Sequence, residues 1–127
     1  MVKTRGFPYE FVPQPWGALR AEVAEMAGAY AALAYLNDLV GSITESSHKE
    51  SLAGNLWMFD LAVAASPISS VPVELIVVRS PGSVHATAPG LIRIEHLSVS
   101  GRNDRIDRPA DQVVPLFWRF AAEKFGV

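Results

Sequence analysis

The sequence predicts a two-layer α+β domain: an N-terminal helical hairpin packed on a three-stranded antiparallel β-meander and closed by a C-terminal helix. Three observations lead to it. Apolar residues between Ala18 and Ile43 recur at helical spacing, a β-branched run begins after Pro67 and is interrupted twice by Pro-Gly, and the chain ends on another helical stripe.

The 127 residues amount to one ordinary domain, and with half of them apolar and 19% charged the chain can bury a core without disulfides or metals. There is no cysteine, which removes disulfide scaffolds, thiolate zinc sites and thiol catalysis together. The 11 basic and 13 acidic residues are scattered, for a formal charge of −2, so no electrostatic footprint for nucleic acid exists. Met1 to Glu10 holds Lys3 and Arg5 but leads into Pro8 and Glu10 rather than an apolar run, so no secretory signal is expected and the reading is cytoplasmic. The most apolar stretch, Leu52 to Ala65, is too short to span a bilayer and carries Asn55 and Asp60, so no membrane partner is expected either.

Residues 1–17 read as an extended arm rich in proline and aromatics, and residues 18–127 as a single α+β domain. In the arm, Phe7, Tyr9 and Phe11 alternate and can lay one aromatic face against the domain itself or against a second chain, with Trp16 following. From Ala18 to Ile43, Leu19, Val23, Met26, Tyr30, Leu33, Asn37 and Val40 form a heptad-like seam flanked by small residues that admit a close helical neighbour. Asn37 is the polar residue of that seam, a type that sets register or partner choice.

The second arm of the hairpin is expected from the capping-box spacing of Ser47 and Glu50 and the helical spacing of Leu52, Leu56, Phe59 and Val63, with Ser66-Pro67 ending it. Val73–Arg79, Val84–Ala88 and Leu91–Ser100 then read as the three strands. If both Pro-Gly pairs form tight turns, Val78 pairs with His85 and His85 with Ile94. One sheet face then carries Val73, Leu75, Val77, Leu91, Leu97 and Val99, and the other Ile76, Val78, Ile92 and Ile94 beside Glu74, His85 and His96. The helical hairpin is expected on the first face; the second needs the C-terminal helix or a second copy of the chain. Residues 101–108 read as a polar loop in which Asp104 and Asp107 offset Arg102, Arg105 and Arg108. Asp111 is placed to cap the last helix, Pro115 is tolerable near its start, and Gly126 closes it.

Chemistry-bearing motifs are sparse. No Gly-x-Gly-x-x-Gly, Walker-type loop, Gly-x-Ser-x-Gly or Ser-x-x-Lys occurs, so no cofactor is expected and no catalytic residue is assigned. The candidate ligand-binding residues are His85 and His96, placed diagonally about 7 Å apart by the expected register, with Glu74 as the carboxylate on their face. Arg79, near the turn, and Arg93 and Glu95, two apart on one strand, would lie on the opposite face as an ion-pair cluster or, through the arginines, a grip for a carboxylate or phosphate. Asp60, on an apolar helix, is expected on that helix's wet strip or bonded to a neighbouring hydroxyl; the alternative is a buried carboxyl able to act as a general acid or base. The candidate interface residues are Phe7, Tyr9, Phe11, Trp16 and Asn37. Two partly apolar sheet faces, a helical seam and an aromatic arm together point to a homodimer or a fixed protein partner. The functional expectation is a non-catalytic interaction or regulatory module; the alternative is a small-ligand-binding protein or enzyme with a pocket between sheet and helices that uses His85 and His96.

Overall fold

The computed structural model describes residues 10–68, 73–81, 90–98, 100 and 103–127. Along the chain lie α1 (Trp16–Ala29), α2 (Ala34–Glu45), β1 (Leu52–Trp57), β2 (Asp60–Ala65), β3 (Leu75–Arg79), β4 (Ile92–Leu97), β5 (Asp104–Arg108) and α3 (Val113–Phe125), with short 3-10 turns at Ala31–Leu33, Lys49–Ser51 and Ala110–Gln112. The class is α+β as expected, but the sheet has five antiparallel strands in the order β1-β2-β3-β4-β5 rather than three.

The helical hairpin forms, yet both of its arms come from the stretch expected to be its first. The helix stops after Ala29, where Gly28 and the extended Tyr30 (φ −134°, ψ 107°) interrupt it, and resumes as α2. Arg20 Nη2 meets Glu45 Oε1 at 2.8 Å, so the start of α1 lies beside the end of α2. The expected second arm is a β-hairpin: Leu52 pairs with Ala65 and Trp57 with Asp60 across a two-residue turn at Met58 and Phe59. Both faces of these strands are buried over most of their length, which erases the alternation that marks a strand and leaves an apolar run that also fits a helix.

β3 pairs directly with β4, Val78 facing Ile94 and Arg79 facing Arg93, so β4 occupies the place expected for a strand at 84–88. The expected pairing of Val78 with His85 and of His85 with Ile94 is thereby overturned. Both edges of β3 are taken, by β2 and β4, which leaves Val78 no edge to offer a strand at 84–88. Residues 84–88, His85 among them, lie outside the described residues, as do Phe7, Tyr9, Val99 and Arg102. The segment read as a polar loop contributes β5, whose charged residues mark a sheet edge rather than a loop. In α3, Pro115 falls in the first turn, where its missing N–H has no intrahelical acceptor, and Gly126 closes the helix in a left-handed conformation at φ 70°. Asp111 does not cap it: the residue sits in the preceding 3-10 turn and no side chain bonds the helix N-terminus.

Alternation along β3 and β4 sorts the core into two. Ile76, Val78, Ile92 and Ile94 face the helical layer and pack with Leu19, Leu36, Leu39 and Phe117. On the opposite face Ala62, Ala64, Val73, Leu75, Val77 and Leu97 are buried with Phe11. The hairpin and α3 therefore share the face expected to need a second cover, and the arm supplies Phe11 to the other. Gln14 closes the outer edge of β1: its N–H bonds the Gly54 carbonyl at 2.9 Å, and its Oε1 accepts from the Leu56 N–H at 2.8 Å and from Asn55 Nδ2 at 3.1 Å. Among the described residues no helix is long and apolar enough to cross a membrane.

Candidate functional site

Asp60, Arg79, Ser80 and Glu95, four of the buried polar residues among those described, gather at one end of the sheet, where β2 begins and β3 ends. Trp57, Asp60, Arg79, Arg93 and Asp107 are successive cross-strand neighbours from β1 to β5, and all point away from the helices. Asp60 and Arg79 are each 3% exposed, a placement neither charge tolerates without partners. Arg79 Nη1 lies 3.5 Å from Asp60 Oδ2, while its Nε and Nη2 donate to Glu95 Oε1 at 3.1 and 2.8 Å. Asp60 Oδ1 accepts from the Ser80 N–H at 3.2 Å. The Ser80 hydroxyl bonds the Phe59 carbonyl and the hydroxyl of Tyr35, which reaches in from α2. Burial pushes the Tyr35 hydroxyl well above its ordinary pKa of 10.0; the Ser80 hydrogen bond opposes that shift, and the Asp60 charge adds to it. Tyr35 is a neutral donor and acceptor here, not a base.

Beside this chain of groups Arg93 holds Asp107 in a two-pronged pair, Nε to Oδ1 at 2.8 Å and Nη2 to Oδ2 at 3.1 Å. The hydrogen bond raises the Arg93 pKa and lowers that of Asp107. Arg79 and Arg93 thus stand on adjacent strands of one face, each turned to its own carboxylate. The charge pattern across the row is closed on itself, and a ligand carboxylate or phosphate would have to displace Glu95 or Asp107 to reach either guanidinium.

Glu74 and His96 lie on the opposite, helical face, joined by Nε2 to Oε2 at 3.3 Å, with the imidazole set edge-on to Phe125 at 6.4 Å. His85 is outside the described residues, so the expected pair has only one member in place. Among the described residues no group of three His, Asp or Glu side chains could hold a metal. Asp60 is buried on a strand rather than set on a helix, and its Oδ1 accepts from the Ser80 backbone N–H.

Of the expected interface residues, Phe11 and Trp16 turn inward, and Phe7 and Tyr9 lie outside the described residues. Phe11 is fully buried against its own sheet, and Trp16 packs over Gly54 with Nε1 donating to the Leu52 carbonyl at 3.0 Å. Asn37 lines an open polar groove on the outer side of the helical hairpin with Arg20, Asp38, Gly41, Ser42 and Glu45. Three of the four large apolar side chains in solvent among the described residues, Met58 at 65% exposure, Tyr30 at 59% and Trp57 at 43%, gather about the β1–β2 turn, so Tyr30 leaves the seam expected of it; Val12 is the fourth. Phe59 stacks edge-on with Tyr30 at 6.2 Å and ties the turn to the end of α1. Neither this end nor the Tyr35–Ser80 contact has a local sequence signal, since both join residues far apart in the chain. Compared with protein-family models, curated proteins and solved structures, the chain matches none of them.

Proposed function

We propose that this chain is a non-catalytic interaction or regulatory module that works as a homodimer. The observation that carries the reading is a contrast. The acids, guanidinium groups and hydroxyls of the buried site are engaged with one another, whereas large apolar side chains at the β1–β2 turn stand in water. Proton transfer or nucleophilic attack requires a group that can let go of its partner during turnover. Tyr, Trp and Met at a protruding end are the side chains that protein interfaces bury. A formal charge of −2 sets little repulsion against self-association.

Native mass spectrometry of the untagged protein, read beside sedimentation over a concentration series, tests this. A dimer of two 13.8 kDa chains with no additional mass is the expected result. A bound metal or organic molecule that disappears in His96→Ala would replace the module reading with the ligand-binding one.

A further inference from the structure

β5 is the last strand of the sheet, and its sequence is Asp104-Arg105-Ile106-Asp107-Arg108. Read against itself in the antiparallel sense about Ile106, this strand is charge-complementary at every position. Asp104 meets Arg108, Arg105 meets Asp107, and Ile106 meets itself. From this we infer that two copies of the chain join edge to edge through β5 about a two-fold axis at Ile106, forming one continuous antiparallel sheet. The inference deepens the homodimer reading and rests on it.

The register is selective. Slid by one residue, the strands set Asp104 against the partner's Asp107 or Arg105 against the partner's Arg108. Slid by two, they set Arg105 or Asp107 against itself. Like charges directly opposite on a sheet are destabilising, so the centred register is favoured over its neighbours. The usual function of charges on an edge strand is to keep other strands away. Here that guard holds against foreign edges and is lifted only for the same sequence reversed, which gives specificity as well as attachment.

The neighbouring groups extend the match. On the face away from the helices, Glu95 lies opposite Arg105 and Arg93 opposite Asp107 within one chain. Across the seam the order becomes Glu95, Arg105, the partner's Asp107, the partner's Arg93, with opposite charges adjacent at each step. On the helical face Ile94 lies opposite Ile106, which is partly buried against the main core. Two such pairs meeting at the axis would form one apolar ridge and remove the exposed part of Ile106 from water. Asp104, already reached by Lys124, would also receive the partner's Arg108 on that face; a carboxylate has acceptor sites for both. Arg105 and Arg108 are exposed, and Arg108, whose Nη1 donates to the Asp107 carbonyl at 2.8 Å, would exchange that bond for the partner's Asp104.

The chain contains no cysteine, so Ile106→Cys introduces its sole thiol. At a two-fold axis between antiparallel strands the two Cβ atoms stand about 4.5–5.5 Å apart, within reach of a disulfide. Under mild oxidation of the full chain, Ile106→Cys is expected to convert to a covalent dimer, while the exposed control Ala122→Cys stays monomeric over the same time. In sedimentation, Arg105→Glu combined with Arg108→Glu should lower self-association at least tenfold, and 1 M salt should weaken the wild-type dimer. Circular dichroism and the unfolding midpoint of the double variant check that it folds. A wild-type dimer indifferent to these charges, with no preferential cross-link at 106, overturns the β5 seam and leaves the module reading in place. A wild type that is monomeric at every concentration overturns the homodimer itself.

Discussion

Arg79 donates through both Nε and Nη2 to a single oxygen of Glu95, at 3.1 and 2.8 Å, and the guanidinium is all but sealed from solvent. Its remaining nitrogen, Nη1, has only Asp60, at the longer separation of 3.5 Å. The arginine is therefore held asymmetrically, and Glu95 is its principal counter-charge. Glu95→Leu leaves a buried cation with a distant partner and should cost about 3–5 kcal/mol of folding stability. Urea unfolding followed by circular dichroism reads this as a lower midpoint. A loss below about 1 kcal/mol would mean that water reaches the site.

Tyr35 makes stability fall at alkaline pH. The unfolded chain releases its phenolic proton near 10.0, whereas in the folded chain burial holds that proton to higher pH. The contribution is present in full below the unfolded value and declines as pH rises past it, because there the unfolded state binds fewer protons. The limiting slope is about 1.4 kcal/mol per pH unit for this one group. Tyr35→Phe should cost about 1 kcal/mol at neutral pH through the lost Ser80 hydrogen bond. Its deficit should shrink and then reverse as unfolding is measured from pH 9 to pH 11.

Gly54 has no room for a methyl group. A Cβ there would lie 2.5 and 2.9 Å from two Trp16 ring carbons and 3.1 Å from Leu19 Cδ1. Gly54→Ala should displace the indole, strain its bond to the Leu52 carbonyl and destabilise the fold by about 1–3 kcal/mol. The displacement can be followed as a red shift of tryptophan emission, with Trp16→Phe assigning the band.

Met58 adopts φ 55° at the hairpin turn, a left-handed conformation that costs a side-chain-bearing residue about 1–2 kcal/mol. Met58→Gly relieves it at an entropic cost of about 0.5–1 kcal/mol, leaving a net gain of up to about 1.5 kcal/mol. Met58→Val, β-branched at the same angle, should be destabilising. Opposite shifts of the thermal midpoint are the expected pair of results; a matching shift would show that the turn relaxes freely.

Much of the sheet centre was legible in the sequence. Alternation in Val73–Arg79 and Leu91–Ser100 correctly separated Leu75 and Val77 from Ile76 and Val78, because a strand directs neighbours to opposite faces whatever it pairs with. Pairing partners were less legible, since Val78 faces Ile94 through contacts that no local spacing encodes. The β1–β2 hairpin was hidden for a different reason. Leu52, Leu56, Phe59 and Val63 fit a helical stripe by accident, and the turn between the strands carries Met58 and Phe59 instead of the Asn-Gly type that announces a hairpin. Of the polar site, the Arg79–Glu95 association was foreseeable from type and face, whereas Tyr35 and Ser80 meet only through the packing of α2 on the sheet end.

The double-sided burial of β2 and β3 has a consequence in time. Leu61–Val63 and Ile76–Val78 are covered on both faces and paired on both edges, so their amide hydrogens should exchange with solvent only when the whole molecule opens. β5 is half-exposed and, among the described residues, paired only with β4, and its amides should exchange through local fraying at far lower cost. The molecule therefore has a slow centre and a fast rim, and the rim is the strand whose sequence answers its own reverse.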